Sequence, residues 1–291
     1  MGSAFRKVSA LTWVFGNLHA RRVGAQGLRH SALLLVLFSA ACGGSSSPTS
    51  PTSAPALEPT SACGTIGGAA ASAVSSIVNG AECRAGTSAV VLINLRDRAG
   101  NAVGACSGTI IAPRVILTGA HCLDEEVTTA RIWLGTGAEI VAESFAHFPN
   151  YSQGNSATPD VGIVRMAQDL APAPVPLLTT RDPRVGETAV IAGWGRNQAS
   201  VPATLRAGTA VLSAVGPLYL ETQFSATASS ICSGDSGGPI LLSEGGTWTV
   251  AGVISAASVA GCTTGTNFYV NIRNAAVLAF VRGHSNLTGS R

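Results

Sequence analysis

The segment Cys232-Ser-Gly-Asp-Ser-Gly-Gly-Pro239 surrounds one candidate nucleophile, Ser236, with glycines and an aspartate. A serine hydroxyl is a weak nucleophile at neutral pH. Chemistry at Ser236 needs a base to take its proton and a third group to orient that base. The glycines permit a sharp turn in which the N–H groups of Gly234 and Ser236 face one point, where a developing oxyanion could be held. Far upstream, Leu117-Thr-Gly-Ala-His121-Cys122 offers a histidine among small residues, and Asp160-Val-Gly-Ile-Val164 offers an aspartate ahead of an apolar run. These residue types suit acyl transfer through a covalent serine intermediate, with His121 as base and Asp160 as its orienting carboxylate.

Other assignments compete. Gly234-Asp-Ser-Gly-Gly238 also fits the nucleophile elbow of α/β-hydrolases, which places a helix after the serine and the base downstream, where His284 is the sole histidine. Against that, Pro239 and Ile240-Leu-Leu242 read as a strand. Asp97, Asp124 and Asp169 compete with Asp160. Asp124 lies three residues past His121 on an expected surface turn, where it does not reach the far ring nitrogen from behind.

The elements that must position these groups are short. Apolar runs such as Ala89–Leu95, Arg114–Leu117, Ala130–Leu134, Ala189–Ala192, Thr209–Leu212, Trp248–Ile254 and Phe268–Ile272 alternate with Gly, Pro, Asn and Asp breaks. Runs of this length and spacing predict an all-β sandwich or barrel. After Asn274, a plausible N-cap, Val277, Leu278 and Val281 fall at helical spacing and predict a short C-terminal helix.

The order His121, Asp160, Ser236 resembles the trypsin/chymotrypsin family of serine peptidases, in an exported bacterial form. The resemblance runs from about 77 to 285. It includes Cys106-Ser-Gly-Thr-Ile-Ile-Ala-Pro-Arg-Val-Ile-Leu-Thr-Gly-Ala-His-Cys122, the Gly193-Trp-Gly195 turn, the Asp160 run and the serine segment. It implies a chymotrypsin-like fold of two six-stranded Greek-key β-barrels with a short C-terminal helix and the triad in the cleft between them. It also implies disulfides Cys106–Cys122 and Cys232–Cys262, and a hydrogen bond from Ser255 to the catalytic aspartate. His147 matches a histidine that is often non-catalytic. Ile77-Val-Asn-Gly80 looks like the new N-terminus of an activated peptidase, so a cut between Ser76 and Ile77 would free an α-ammonium for Asp235; the usual basic residue before the cut is absent, being Ser76. Ser230 would be the floor of the S1 pocket, with substrate-binding residues Ser255, Ala256, Ala257 and Asn267 along its walls. Serine at the floor does not select Arg or Lys, and side chains larger than glycine at 257 and 267 narrow the slot, which predicts small or medium uncharged P1 residues. Ser76 is itself such a residue, which suggests self-processing. The rival is a catalytically silent binding module on the same fold.

The remaining sequence bounds where this domain works. Of 291 residues, 46% are hydrophobic and 11% charged, which excludes general disorder. The formal charge of +3 sits in the leader. Arg6, Lys7, Arg21, Arg22 and Arg29 precede Ile77 against one acid, Glu58, leaving 13 Arg and 14 Asp plus Glu downstream. Nothing here calls for nucleic acid. Arginines, the run Ala32–Phe38 and the small residues Ser39-Ala40-Ala41 read as an export signal over 1–41, too short to span a bilayer, which takes about 20 residues. Cys42 then either carries a lipid anchor or is the first residue past a simple cut after Ala41. Residues 42–76 read as a Ser/Thr/Pro-rich linker and pro-segment, flexible over 43–62, and 77–291 as the peptidase domain. Seven cysteines suit an oxidising compartment. With Cys42 set apart, Cys63 and Cys83 are left to pair, tethering the pro-segment. The scattered cysteines lack the paired short spacing of a zinc site, and no cofactor is expected. Partners are protein or peptide substrates and protein inhibitors, with the enzyme a monomer.

Overall fold

Val, Ile and Leu runs bounded by Gly, Pro and Asp build fifteen described strands. The structure is a computed structural model in which residues 59–72, 77–195, 204–225, 227–259 and 261–285 are described. The strands are β1 (Ala69–Ser72), β2 (Ala81–Arg84), β3 (Val90–Arg96), β4 (Ala102–Ala112), β5 (Val115–Thr118), β6 (Thr129–Trp133), β7 (Ile140–Val141), β8 (Ser144–His147), β9 (Gly162–Arg165), β10 (Thr188–Gly193), β11 (Arg206–Val215), β12 (Tyr219–Gln223), β13 (Pro239–Glu244), β14 (Thr247–Ala257) and β15 (Thr266–Asn271). Two α-helices, α1 (Pro59–Thr65) and α2 (Ala275–Ser285), flank them.

The strands form two antiparallel sheets. The second runs β1-β2-β11-β10-β13-β14-β15-β12, and β12 pairs back onto β11, so its six strands from β10 to β15 close into a barrel. The first runs β7-β6-β3-β4-β5-β9-β8 and curls into a half-barrel. Its two edge strands are the ends of one bent segment, in which Ala142 N–H donates to Ala130 O and Glu143 N–H to Arg165 O. Closure removes the unpaired edges that would otherwise invite aggregation. The interiors are packed with branched residues, among them Ile93, Ile110, Ile116 and Val164 in one sheet and Ile191, Leu212, Leu220 and Ile240 in the other. The expected C-terminal helix is present as α2. Asn274 caps it, its Oδ1 accepting from the N–H of Ala276 at 3.1 Å and of Val277 at 3.2 Å.

The linker reading needs one correction. Residues 59–62, placed in the flexible tract, begin α1, and the chain from 59 to 72 is a helix and a strand docked on the domain. β1 pairs with β2, Ala62, Cys63 and Ile66 are buried, and Ala89 N–H donates to Ile66 O at 3.0 Å. Composition missed this because one isoleucine and one cysteine supply the anchorage in an Ala/Ser/Gly background. All three expected disulfides are formed, Cys63–Cys83, Cys106–Cys122 and Cys232–Cys262. Replacing Cys63 and Cys83 together by serine is expected to cost about 2–4 kcal/mol, from the freedom an uncrosslinked unfolded chain regains. A urea titration of the oxidised double variant against wild type measures it, and an unchanged midpoint would show that the tether adds nothing.

Candidate active site

His121 follows β5 on a short 3₁₀ turn, Ala120–Leu123, fixed by the Cys106–Cys122 disulfide next to it. Asp160 stands two residues before β9 and is buried. Its Oδ2 lies 2.7 Å from His121 Nδ1 and accepts a 2.7 Å bond from Ser255 Oγ, while Oδ1 accepts the His121 backbone N–H at 2.9 Å. Burial alone would lower the imidazole's proton affinity, but the charge and hydrogen bond of Asp160 outweigh it, so the His121 pKa rises from its ordinary 6.5. Asp160 moves the other way. Burial pushes its carboxyl up, and the His121 and Ser255 contacts bring it below the usual value of 3.8. Asp97, Asp124 and Asp169 take no part: Asp97 holds its own turn through Asn101, Asp124 caps Glu126 N–H, and Asp169 pairs with Arg114 at the surface.

The nucleophile segment is clamped from both sheets. Ser236 O accepts from Ser107 N at 2.7 Å, Gly237 N–H donates to Ile254 O, and Ile254 N–H donates to Gly238 O, both at 2.8 Å. Ser107 does more: its Oγ donates to Gly234 O and accepts from Trp194 N–H, each at 2.9 Å. Sequence reasoning missed Ser107, whose only signal is its place beside Cys106. Gly234 has φ +97, which an L side chain rarely adopts. The Asp235 N–H between them is used, donating to Cys232 O at 3.0 Å. The N–H groups of Gly234 and Ser236 find no acceptor among the described residues, which leaves both available to an incoming oxyanion. Ser236 Oγ and His121 Nε2 are not hydrogen-bonded here, and such contacts commonly tighten only with substrate. β13 follows Ser236 where an elbow would place a helix, and His284 Nδ1 lies 2.9 Å from Phe280 O of its own helix. The elbow reading is thereby overturned.

Ser230 and Asn267 are buried side by side. Asn267 Nδ2 donates to Ser230 Oγ at 3.1 Å and to Thr222 Oγ1 at 3.2 Å, and Thr222 Oγ1 lies 2.9 Å from Tyr269 Oη. Ala256 and Ala257 line β14, with Ala257 paired to Asn267 on β15. Thr222 and Tyr269 were not anticipated. Ser255, expected among the substrate-binding group, spends its hydroxyl on Asp160.

Asp235 is buried against the Gly193–Gly195 turn. Its Oδ1 accepts from Gly195 N–H at 2.7 Å and its Oδ2 from Cys232 N–H at 2.8 Å. A Cβ on Gly195 would come within 2.5 Å of the Asp235 carboxyl, which is why that turn needs glycine. Burial pushes the Asp235 carboxyl up to about 6, against the pull of those two N–H groups and of Arg206. Ile77 is buried in the uncut chain with φ 29, and Val78 forms a two-bond bridge with Ser230. Ser76 and Cys42 lie outside the described residues, as do 1–41 and 43–58. Cys106, His121 and Cys122 cluster like metal ligands, but both sulfurs are consumed in the disulfide.

Comparison with known proteins bears on the family and the fold. The family model described as Trypsin matches residues 77–280. Chymotrypsin-like elastase family member 1 from Bos taurus is 27% identical over 210 residues, spanning 60% of this chain and 77% of that protein. Trypsin alpha-4 from Lucilia cuprina is 30% identical over 176 residues, 52% of this chain and 66% of the relative. Inactive CLIP domain-containing serine protease A3 from Aedes aegypti is 26% identical over 206 residues, 57% of this chain and 43% of that protein. The solved structure of HL collagenase superposes with a TM-score of 0.59 at 18% identity, over 69% of this chain and 94% of that one, a likeness of fold.

Proposed function

The chain belongs to the trypsin family, and from that premise we propose that it is a serine endopeptidase with a His121, Asp160, Ser236 triad. The observation that carries this reading is Asp160, whose two oxygens hold His121 at ring and backbone while the Ser236 loop keeps two N–H groups unspent. Ser236 Oγ attacks the substrate carbonyl as His121 Nε2 takes its proton. The carbonyl oxygen becomes an oxyanion held by the N–H of Gly234 and Ser236. His121 returns the proton to the leaving amine, giving an acyl-enzyme, and water repeats the cycle to release the acid. Asp160 fixes the imidazole tautomer and balances the imidazolium.

The preferred P1 residue is small or medium and uncharged. Ser230, Asn267 and Thr222 satisfy one another's hydrogen bonds, none of them brings a carboxylate to a basic side chain, and the Asn267 amide stands where glycine would leave open space. Asn267→Gly is expected to raise kcat/KM for Phe relative to Ala at P1 by roughly 10–100-fold, the scale of pocket-volume effects. An unchanged ratio on matched p-nitroanilides would remove Asn267 from the pocket.

The enzyme is made as a zymogen, exported, with Cys42 either lipidated or left as the first residue past a cut after Ala41, and cut at Ser76–Ile77, as the leader, the linker and Ile77-Val-Asn-Gly80 indicate. The family relative named inactive supports a second reading, a silent binding module. N-terminal sequencing of secreted protein, with a p-nitroanilide panel bearing Ala, Val, Phe and Arg at P1, separates them. An Ile77 start with Ala or Val cleavage is expected. Protein beginning at Ile77 and inert on every substrate would establish the binding module, and Arg cleavage would overturn the pocket assignment.

A further inference from the structure

Arg206 has the largest side chain sealed from solvent among the described residues, at 1% exposure. A guanidinium has five donors and holds its charge, so burying it is costly unless acceptors and a counter-charge surround it. Here Nη1 donates to Gly195 O at 2.8 Å, while Nε and Nη2 have no hydrogen-bond partner among the described residues. Glu82 Oε1 approaches Nη2 at 3.6 Å, too far for a hydrogen bond. The backbone explains the placement. Arg206 opens β11, where it stands opposite Gly193 on β10 and opposite Glu82 on β2. Gly195 is thus held from both sides: its carbonyl accepts from Arg206 and its N–H donates to Asp235.

In the uncut chain the nitrogen of Ile77 is an amide, so Asp235 has no α-ammonium to balance it. Its hydrogen bonds come from two neutral N–H groups. Among the described residues, the charged groups acting around it are Arg206 on β11 and, beyond Arg206, Glu82 on β2; Tyr269 on β15 feels the carboxylate but stays neutral. We propose that Arg206 is a positioning residue that supplies the fixed internal cation of the Asp235 loop, bracing the Gly193–Gly195 turn and the oxyanion N–H groups before any cut at Ser76–Ile77. The uncut precursor therefore has basal reactivity at Ser236. Glu82, next to the Cys63–Cys83 tether, draws on the same charge and moderates the effect. This rests on the peptidase reading above.

The test uses the full exported chain carrying Ser76→Arg, kept intact or cut with immobilised trypsin, and reads the rate at which a fluorophosphonate labels Ser236. The intact form is expected to label slowly. Adding Arg206→Met should slow the intact form by about 100-fold or more and the cut form by less than about threefold, since the new ammonium then balances Asp235, and the larger figure is the scale of losing an oxyanion donor. Arg206→Lys should restore most of the rate. Equal slowing of both forms, as a merely structural arginine would give, or slowing of neither, overturns the proposal. Should Arg206→Met fail to fold, Glu82→Gln decides: the intact form should label at least about threefold faster, and an unchanged or lower rate overturns it. A cut parent that does not label defeats the peptidase reading and this one with it. A cut parent that labels, with both forms indifferent to Arg206, defeats this one alone.

Discussion

Ser236→Ala is expected to lower kcat on the best P1 substrate by about 10⁶ while moving KM little, because the variant keeps the pocket and the oxyanion donors but has no nucleophile. The geometry makes this a clean substitution. Among the described residues, the loop is held through the Ser236 carbonyl, Gly237 N–H and Ser107, and the Ser236 hydroxyl makes none of those bonds. Its thermal midpoint should match wild type, so lost activity cannot be charged to lost fold. Steady-state kinetics on the purified cut enzyme, with a melting curve alongside, provide the check. A residual rate within about 100-fold of wild type would mean that the hydrolysis does not run through Ser236.

Asp160→Asn is expected to lower kcat by about 10⁴. The carboxylate accepts three bonds, from His121 Nδ1, His121 N and Ser255 Oγ. An amide keeps one oxygen. If its nitrogen faces Nδ1, the imidazole must carry its proton on Nε2, where Ser236 needs an acceptor; if it faces the backbone, two donors meet. The pH profile should move as well. His121 must be neutral to act as base, so wild-type kcat/KM rises with pH through a His121 pKa that lies above 6.5. The Asp160 charge raises that pKa, and with it gone burial remains, so the acid limb of the variant's residual activity should shift to lower pH. A limb that stays in place, or a loss below about tenfold, would show that Asp160 does not hold the base.

Much of the site was legible because chemistry restricts residue type locally. His121, Asp160 and Ser236 each sit in a short distinctive run, and β3, β5, β6, β10, β14 and β15 follow Val/Ile-rich stretches that read as strands on their own. What escaped notice depends on distant partners. β7 and β8 are two ends of a short bent segment, its apolar run broken by Glu143 and Ser144, whose pairing exists only because β6 and β9 flank it. Ser107 reads as a strand serine until the Gly234 carbonyl arrives from far along the chain. Nothing in the sequence around Arg206 announces its burial, which follows from β2 and β10 covering both sides. The docking of 59–72 was hidden for the same reason, its few anchors depending on a cysteine twenty residues away.

That last link separates two events that proteolysis often joins. Residues 63 and 83 bracket the Ser76–Ile77 bond, so a break anywhere in the backbone between them leaves a single covalent molecule. Whatever the N-terminal stretch is fastened to stays fastened after the cut. Peptide-bond hydrolysis would switch such an enzyme on in place, and only a reductant reaching Cys63–Cys83 could let it diffuse away.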